Sequence, residues 1–464
     1  MPRRAFAGIL IAAAVLALVT ARPYAGGWND GSRLATVESL VARGTFRIDE
    51  SIYVAVPEHS PYTPGDTSLA RHGTGDKLLI GGHFYSDKSP VPAVVMAGVY
   101  RIAGWLGMPA AADRPDWFAR VMTWGFAGLP YVLAVWCVGR TIGRVGLPGG
   151  WAVALTGGFA FGLALPYAQH VNNHILLLGI AAPVCELLFR PSPLSAGRAV
   201  ALGALAGTGY TIDLGAGPPL LLAVFGYMAW ECRRDRRILL LWAVLAAVPP
   251  IALHHVLNYS IAGTFAPANA KPEYLRWPGS TFTEATMTGV WNHPNVLKAA
   301  IYALELLAGK KGFLLYSPPL LMLLTGAYRL LFRPTAERPA LIALYAWLAM
   351  TWLAYAATSR NMSGVCLSVR WFVPLLAPGF VAVAVLVRET PARRPGLAVL
   401  LLGGWLLVPE FVWRGPWSGR IPVTYWPVVG LTLAAWGTVS ARRIVRDRRA
   451  RKPIADATAA GHDD

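Results

Sequence analysis

Apolar runs of roughly 20 residues recur from one end of this 464-residue chain to the other, and each has about the length a helix needs to cross a hydrocarbon layer about 30 Å thick. In lipid a backbone must satisfy its own N–H and C=O groups, so such a chain is expected to fold as an all-α, polytopic membrane bundle. About twelve spans are expected, near 5 to 21, 120 to 139, 150 to 168, 171 to 189, 198 to 213, 217 to 230, 238 to 257, 312 to 331, 338 to 357, 370 to 388, 395 to 413 and 424 to 440. The fifth and sixth are short and meet at Asp213 and the pair Pro218 and Pro219, which reads as a broken or tilted unit. Composition agrees, since 14% of residues are charged against roughly 25% in soluble domains.

The formal charge of +18 would suggest a nucleic-acid partner in a soluble protein. Here the Lys and Arg residues stand between the apolar runs, which makes them a topology signal, and no nucleic-acid partner is expected. The apolar stretch from 91 to 107 decides how that signal is read. If it lies in the outer interface instead of crossing, as Pro90, Pro92 and Arg101 suggest, every basic cluster falls on the cytoplasmic side. These clusters are Arg3 and Arg4, Arg140 and Arg144, Arg190 and Arg198, Arg233 with Arg234, Arg236 and Arg237, Arg329 with Arg333 and Arg338, Arg388 with Arg393 and Arg394, and the tail from Arg442 to Lys452. Both termini are then cytoplasmic, the first span is an uncleaved anchor, and the basic tail of residues 441–464 contacts anionic membrane lipids.

This orientation places two large loops outside, 22–119 and 258–311, in a single membrane domain that covers the chain. Long structured loops in compact proteins usually carry function. Cys137, Cys185, Cys232 and Cys366 show no CxxC spacing, so neither a disulfide framework nor a zinc site is expected.

Two polar stretches of the first loop carry the candidate chemistry. Trp28-Asn29-Asp30-Gly31-Ser32-Arg33 opens an amphipathic helix with Leu34, Val37, Leu40 and Val41 on one face. Asp30 suits either of two roles there: a general base for a hydroxyl, or a cap for the helix amides. The stretch GDKLLIGGHFYSDKSP, residues 75 to 90, contains Asp76, Lys77, His83, Tyr85, Asp87 and Lys88, with a tight turn at Gly81 and Gly82. Asp87 and Lys88 at the start of the next helix suit a phosphate oxygen. Their plainer reading is a capped helix with Lys88 reaching toward headgroups. His170 and His174 have the spacing of a metal pair, but a turn between them favours hydrogen bonding, and no metal is assigned.

An acidic residue after the first span, an amphipathic segment and a GHYYSDK-like stretch together resemble the GT-C class of integral membrane glycosyltransferases. The nearer likeness is to bacterial members of the protein O-mannosyltransferase and aminoarabinose transferase superfamily. KKGFLLYSPPLL at 310 to 321 and SGVCLSVRWFVPLLAPG at 363 to 379 resemble two later motifs of that superfamily. The resemblance implies inverting transfer of a sugar from a polyprenyl-phosphate donor to a lipid, glycan or protein acceptor. The site would face outward from a bacterial cytoplasmic membrane and require no nucleotide sugar or other cofactor. It also implies roles: Asp30 as the base, Asp87 as a second catalytic carboxylate, Lys88 near the lipid phosphate and Arg370 as a clamp on it; His83, Tyr85 and Asp76 of the same stretch are further substrate- or phosphate-binding candidates. Cys366-Leu367-Ser368-Val369 departs from the Gly-rich approach usual before the arginine. The competing readings are a lipid-linked substrate flippase and a catalytically silent scaffold. A flippase would place ionisable residues deep in several spans, where this chain has few.

Overall fold

A computed structural model describes residues 1–54, 73–232, 237–283, 286–332 and 335–460, with side chains to residue 443. Among the described residues, the chain is a helical bundle with one small hairpin on it. Helix α1 (Arg3–Thr20) is followed by α2 (Trp28–Ala42), the strands β1 (Lys77–Ile80) and β2 (His83–Ser86), and α3 (Pro90–Trp105). Then come α4 (Pro115–Thr123), α5 (Leu129–Arg144), α6 (Gly149–Ala160), α7 (Asn173–Leu188), α8 (Ala196–Ile212), α9 (Gly217–Glu231) and α10 (Arg237–Ala262). The last third holds α11 (Val296–Ala308), α12 (Arg338–Thr358), α13 (Leu376–Glu389), α14 (Arg394–Arg414) and α15 (Tyr425–Ala460).

The expected all-α membrane bundle is found, and each expected span coincides with helix. Seven helical segments among the described residues have the length and apolarity of a full crossing: Arg3–Thr20, Pro115–Arg144, Gly149–Tyr167, Arg237–Ala262, Arg338–Thr358, Arg370–Glu389 and Pro391–Arg414. Helices α7, α8 and α9 are shorter, at 16, 17 and 15 residues. The expected run at 312 to 331 is not one helix but three pieces, Phe313–Tyr316, Leu321–Leu324 and Ala327–Phe332. Pro318 and Pro319 donate no N–H and force a tighter turn between the first two pieces.

Segment 370–389 lies at the centre and is almost wholly buried. Helices α8 and α10 approach closely because Gly203 and Gly207 have no Cβ where the backbone of Ala243 and Ala247 passes. All four cysteines are buried and free. At one end of the bundle Glu186 receives Arg144 at 2.9 Å, Arg140 at 3.3 Å and Arg190 at 3.7 Å. Arg388 of the same end meets Glu337 at 2.7 Å and donates to the carbonyl of Val145. Arg233, Arg234, Arg236 and Arg333, and the tail side chains beyond Arg443, lie outside the described residues.

The stretch before α3 folds into the antiparallel pair β1–β2, which an all-α reading does not contain. Gly81 and Gly82, at φ of 57° and 84°, make the two-residue turn, which needs positive φ at both positions. Helix α3 has 16 residues and packs on α2 through Met96, Ala97 and Tyr100. Its other face exposes Val95, Val99, Ile102 and Trp105. One face of α3 is thus packed and the other is apolar and exposed.

Candidate active site

Asp30 occupies the third position of α2, behind an extended Gly27 at the N-cap. From there its carboxylate reaches back over the helix start. Oδ1 accepts the Gly27 N–H at 2.8 Å, and Oδ2 accepts the Gly26 N–H at 2.7 Å. These amides are among the unpaired donors that open any helix, so the capping interaction is present, although Asp30 is not itself the N-cap residue. A third group joins them, since His170 Nδ1 lies 3.0 Å from Oδ2. Asp30 is 1% exposed.

The second cluster forms where β2 leads into α3. The Lys88 ammonium sits between Asp76 at 2.7 Å and Asp87 at 2.8 Å, with only 13% of its side chain exposed. It therefore does not reach for headgroups. Asp87 does not cap α3, whose N-cap is Ser89 with no side-chain cap bond. Pro90 opens that helix with its φ already set. Burial pushes the Asp87 carboxyl above the usual carboxylate range; Lys88 opposes this and Asp76 adds to it. Ser32 of α2 joins the two clusters by donating weakly to Asp87 Oδ1 at 3.4 Å.

Arg33, one turn after Asp30, is buried between these groups. Burial pulls its pKa down to about 10, against the attraction of Asp87, Asp213 and Asp76, and Arg370 lowers it further. Its Nε and Nη1 are buried with no hydrogen-bond partner among the described residues, and so is Nε of Arg370. Arg370 begins a 3₁₀ turn, donates its backbone N–H to Ser363 Oγ and lies over the Trp417 ring, 5.5 Å from its centre. Two guanidinium groups thus present free donors at the place where three carboxylates and an ammonium gather.

The turn from Gln169 to His174 fixes both flanks of this region. His170 faces Asp30, and His174 Nδ1 lies 3.4 Å from Asp213 Oδ2, so the two imidazoles are committed to different carboxylates instead of one metal. Asn173 donates to the same Asp213 oxygen at 2.5 Å. Tyr355 and the amides of Gly215 and Ala216 donate to Oδ1. Asn172 accepts from the Ile175 N–H and so caps α7.

Asp30, Asp76, Asp87, Lys88 and Arg370 are thus gathered into one polar region, whereas His83 and Tyr85 are not part of it. Side chains alternate along a strand, so both face away from Ser86, whose Oγ meets Ser32. His83 is nearly half exposed and lies 3.5 Å from Asp49. Sequence reasoning gave no role to Arg33, Tyr355 or Trp417, and pointed to His170 only through its spacing from His174. For Arg33 a signal existed, because it stands three residues after Asp30 and hence on the same helix face. Tyr355 and Trp417 come from distant segments and carry no local signal.

A polytopic helical bundle with short helices packed over a cluster of carboxylates and cations has a counterpart among solved structures. Its structure resembles the crystal structure of ArnT from Cupriavidus metallidurans bound to undecaprenyl phosphate, with a TM-score of 0.51 and 14% identity over 98% of this chain and 80% of ArnT. Apo ArnT from the same organism matches equally well, with a TM-score of 0.51 and 14% identity over 94% of this chain and 75% of ArnT. No protein-family model and no curated protein matches the sequence.

Proposed function

We propose that this protein is a membrane glycosyltransferase that takes its sugar from a polyprenyl-phosphate donor at the outer face of a bacterial cytoplasmic membrane, with both termini cytoplasmic. In the proposed reaction an acceptor hydroxyl on a lipid, glycan or protein attacks the anomeric carbon from the side opposite the phosphate. The carbon–oxygen bond to phosphate breaks, polyprenyl phosphate leaves, and the configuration inverts. Asp30 takes the hydroxyl proton, and Oδ1, which holds one hydrogen bond where Oδ2 holds two close partners, is the oxygen placed to do so. The leaving phosphate is received by Arg33 and Arg370, with Lys88 at the edge of the site and Asp87 holding Lys88 in place.

The observation that carries this reading is the buried Arg33 and the half-buried Arg370, each with a buried unpartnered guanidinium donor, beside an ionisable cluster. Buried guanidinium groups without partners are costly, and an anion with several acceptor oxygens would satisfy them. The structural likeness to ArnT, crystallised with undecaprenyl phosphate, supports the same class of donor.

Asp30→Asn is the test. The amide would set its NH₂ against one of the two backbone N–H donors, a change worth about 1 to 3 kcal/mol of stability. Loss of a general base slows the reaction by about a hundred- to ten-thousandfold, which is far more. Purified protein in nanodiscs, given an envelope extract of a deletion strain, would release polyprenyl phosphate at a rate read by mass spectrometry per folded molecule. A wild-type rate in Asp30→Asn would remove Asp30 as the base, and no release by the wild-type protein would favour a transport function for the same fold.

A further inference from the structure

We infer that His170 is the positioning residue of the base: its imidazole fixes the Asp30 carboxylate so that Oδ1 faces the acceptor hydroxyl. This inference rests on the glycosyltransferase reading.

Three independent features place the ring there. His170 Nδ1 lies 3.0 Å from Oδ2, off the line of a hydrogen bond, and is buried with no hydrogen-bond partner among the described residues. The ring is 4% exposed and packed edge-on to Tyr24, with ring centres 5.7 Å apart, and against Trp417, at 6.3 Å. Gly26 supplies the room, since a Cβ on that residue would stand 2.5 Å from His170 Cε1 and 2.8 Å from Nε2. The backbone on either side is tied down as well. The His170 carbonyl accepts from Asn172 Nδ2 at 2.9 Å, and the Gln169 carbonyl accepts from the Arg22 N–H at 3.1 Å.

The chemical need is clear from the carboxylate. Two amides from one side hold the oxygens of Asp30 but leave the plane of the group free to rock about the Cα–Cβ bond. A third contact to Oδ2, from an element 140 residues away in sequence, removes that freedom. A base is effective only within a few tenths of an ångström of its target, and misplacement by about 1 Å costs on the order of a hundredfold. Positioning by His170 therefore affects the rate constant of transfer and not the affinity for donor or acceptor.

The test uses full-length protein in nanodiscs with the envelope extract of a deletion strain, diluted in steps to separate the maximal rate from the half-saturating amount. His170→Ala is expected to lower the maximal rate of polyprenyl phosphate release by about 10- to 100-fold at an unchanged half-saturating amount. His170→Asn, which carries an N–H where Nδ1 stands, is expected to recover most of that loss. His170→Gln, whose N–H falls nearer the place of Nε2, is not. Wild-type rates in His170→Ala, or equal rates in the Asn and Gln variants, would overturn the inference. The Asn and Gln comparison decides it alone if His170→Ala does not fold. Asp30→Asn assayed alongside keeps the two conclusions apart: a wild-type rate there removes Asp30 as the base, and no release by the wild-type protein removes the enzyme reading itself. A slow Asp30→Asn beside unaffected His170 variants removes only the role of His170.

Discussion

Ser32 Oγ and Ser86 Oγ lie 2.5 Å apart, fastening the first turn of α2 to the end of β2. The Ser86 hydroxyl also accepts the Lys88 N–H at 3.1 Å. Through this one contact the helix that carries Asp30 and the turn that carries Asp87 and Lys88 keep a fixed spacing. Ser86→Ala is expected to cost about 0.5 to 1.5 kcal/mol, the net worth of a hydrogen bond, and to slow transfer. Thermal unfolding in detergent beside the release assay checks both, and an unchanged rate would show that the spacing is held by other contacts.

Lys88→Ala is expected to raise the donor concentration needed for half-maximal rate by about ten- to a hundredfold while slowing the chemical step less, because a charge on a ground-state phosphate contributes uniform binding. The defect should depend on pH. Burial already raises the Asp87 carboxyl, and Lys88 is the main group opposing that rise. Without the ammonium, Asp87 takes up a proton at higher pH, the local negative charge falls, and donor binding improves as pH is lowered. A donor titration at several pH values that improved on alkalinisation instead would contradict the assignment.

Arg33 bears on both stability and function. Its pKa falls to about 10 because burial outweighs the attraction of three nearby carboxylates. Removing one partner from a buried charge cluster leaves the others uncompensated and costs about 3 to 5 kcal/mol. Arg33→Met is therefore expected to unfold below the wild-type temperature and to show none of the thermal shift with added undecaprenyl phosphate that is expected of the wild type. A destabilised variant that kept the shift would mean Arg33 serves the fold alone.

Tyr355 donates to Asp213 Oδ1 at 2.7 Å while its ring lies flat on Trp371, with centres 4.2 Å apart and planes 2° from parallel. Tyr355→Phe keeps the stack and removes the donor, for an expected loss of about 0.5 to 2 kcal/mol. Asp213→Ala strands Asn173, His174 and Tyr355 together and should cost several times more. Unfolding temperatures measured in one detergent give the order, and the reverse order would disprove it.

The sidedness of α3 is open to labelling. Ala110 and Gly150 are both exposed, and Gly150 has room for a Cβ. With the four native cysteines buried, Ala110→Cys should react with an impermeant maleimide on intact cells and Gly150→Cys only after permeabilisation. Labelling at 150 and not at 110 from outside would place α3 across the membrane and invert the topology.

What the sequence made legible follows the range of the forces involved. Hydropathy is local, so the spans could be read from it, but not their breaks: the helix is interrupted between Ala160 and Ala164, at Pro318 and Pro319, where N–H groups are missing, and between Leu324 and Ala327. Asp30, Asp87 and Lys88 stood out because they are polar residues beside apolar runs. The hairpin was hidden, since Lys77 to Ser86 has few β-branched residues and its twin glycines look the same in a loop. His83 and Tyr85 misled for that reason: strand alternation, once present, turns them away from Ser32. Arg33 was in view without a role, because nothing local says that a helix start will be buried under Arg370 and Asp213, which lie hundreds of residues further on.

Trp417, between α14 and α15, reaches the surroundings of Asp30 through His170 and lies beneath Arg370. It follows Asp30 by 387 residues, and that separation bears on biosynthesis. A ribosome must add all of them before this indole leaves the exit tunnel, so the nascent polypeptide carries Asp30 through that whole stretch of translation without the wall that completes its surroundings. A chain that stalled before Trp417 would carry the carboxylate and the cations without the ring that packs between Arg370 and His170.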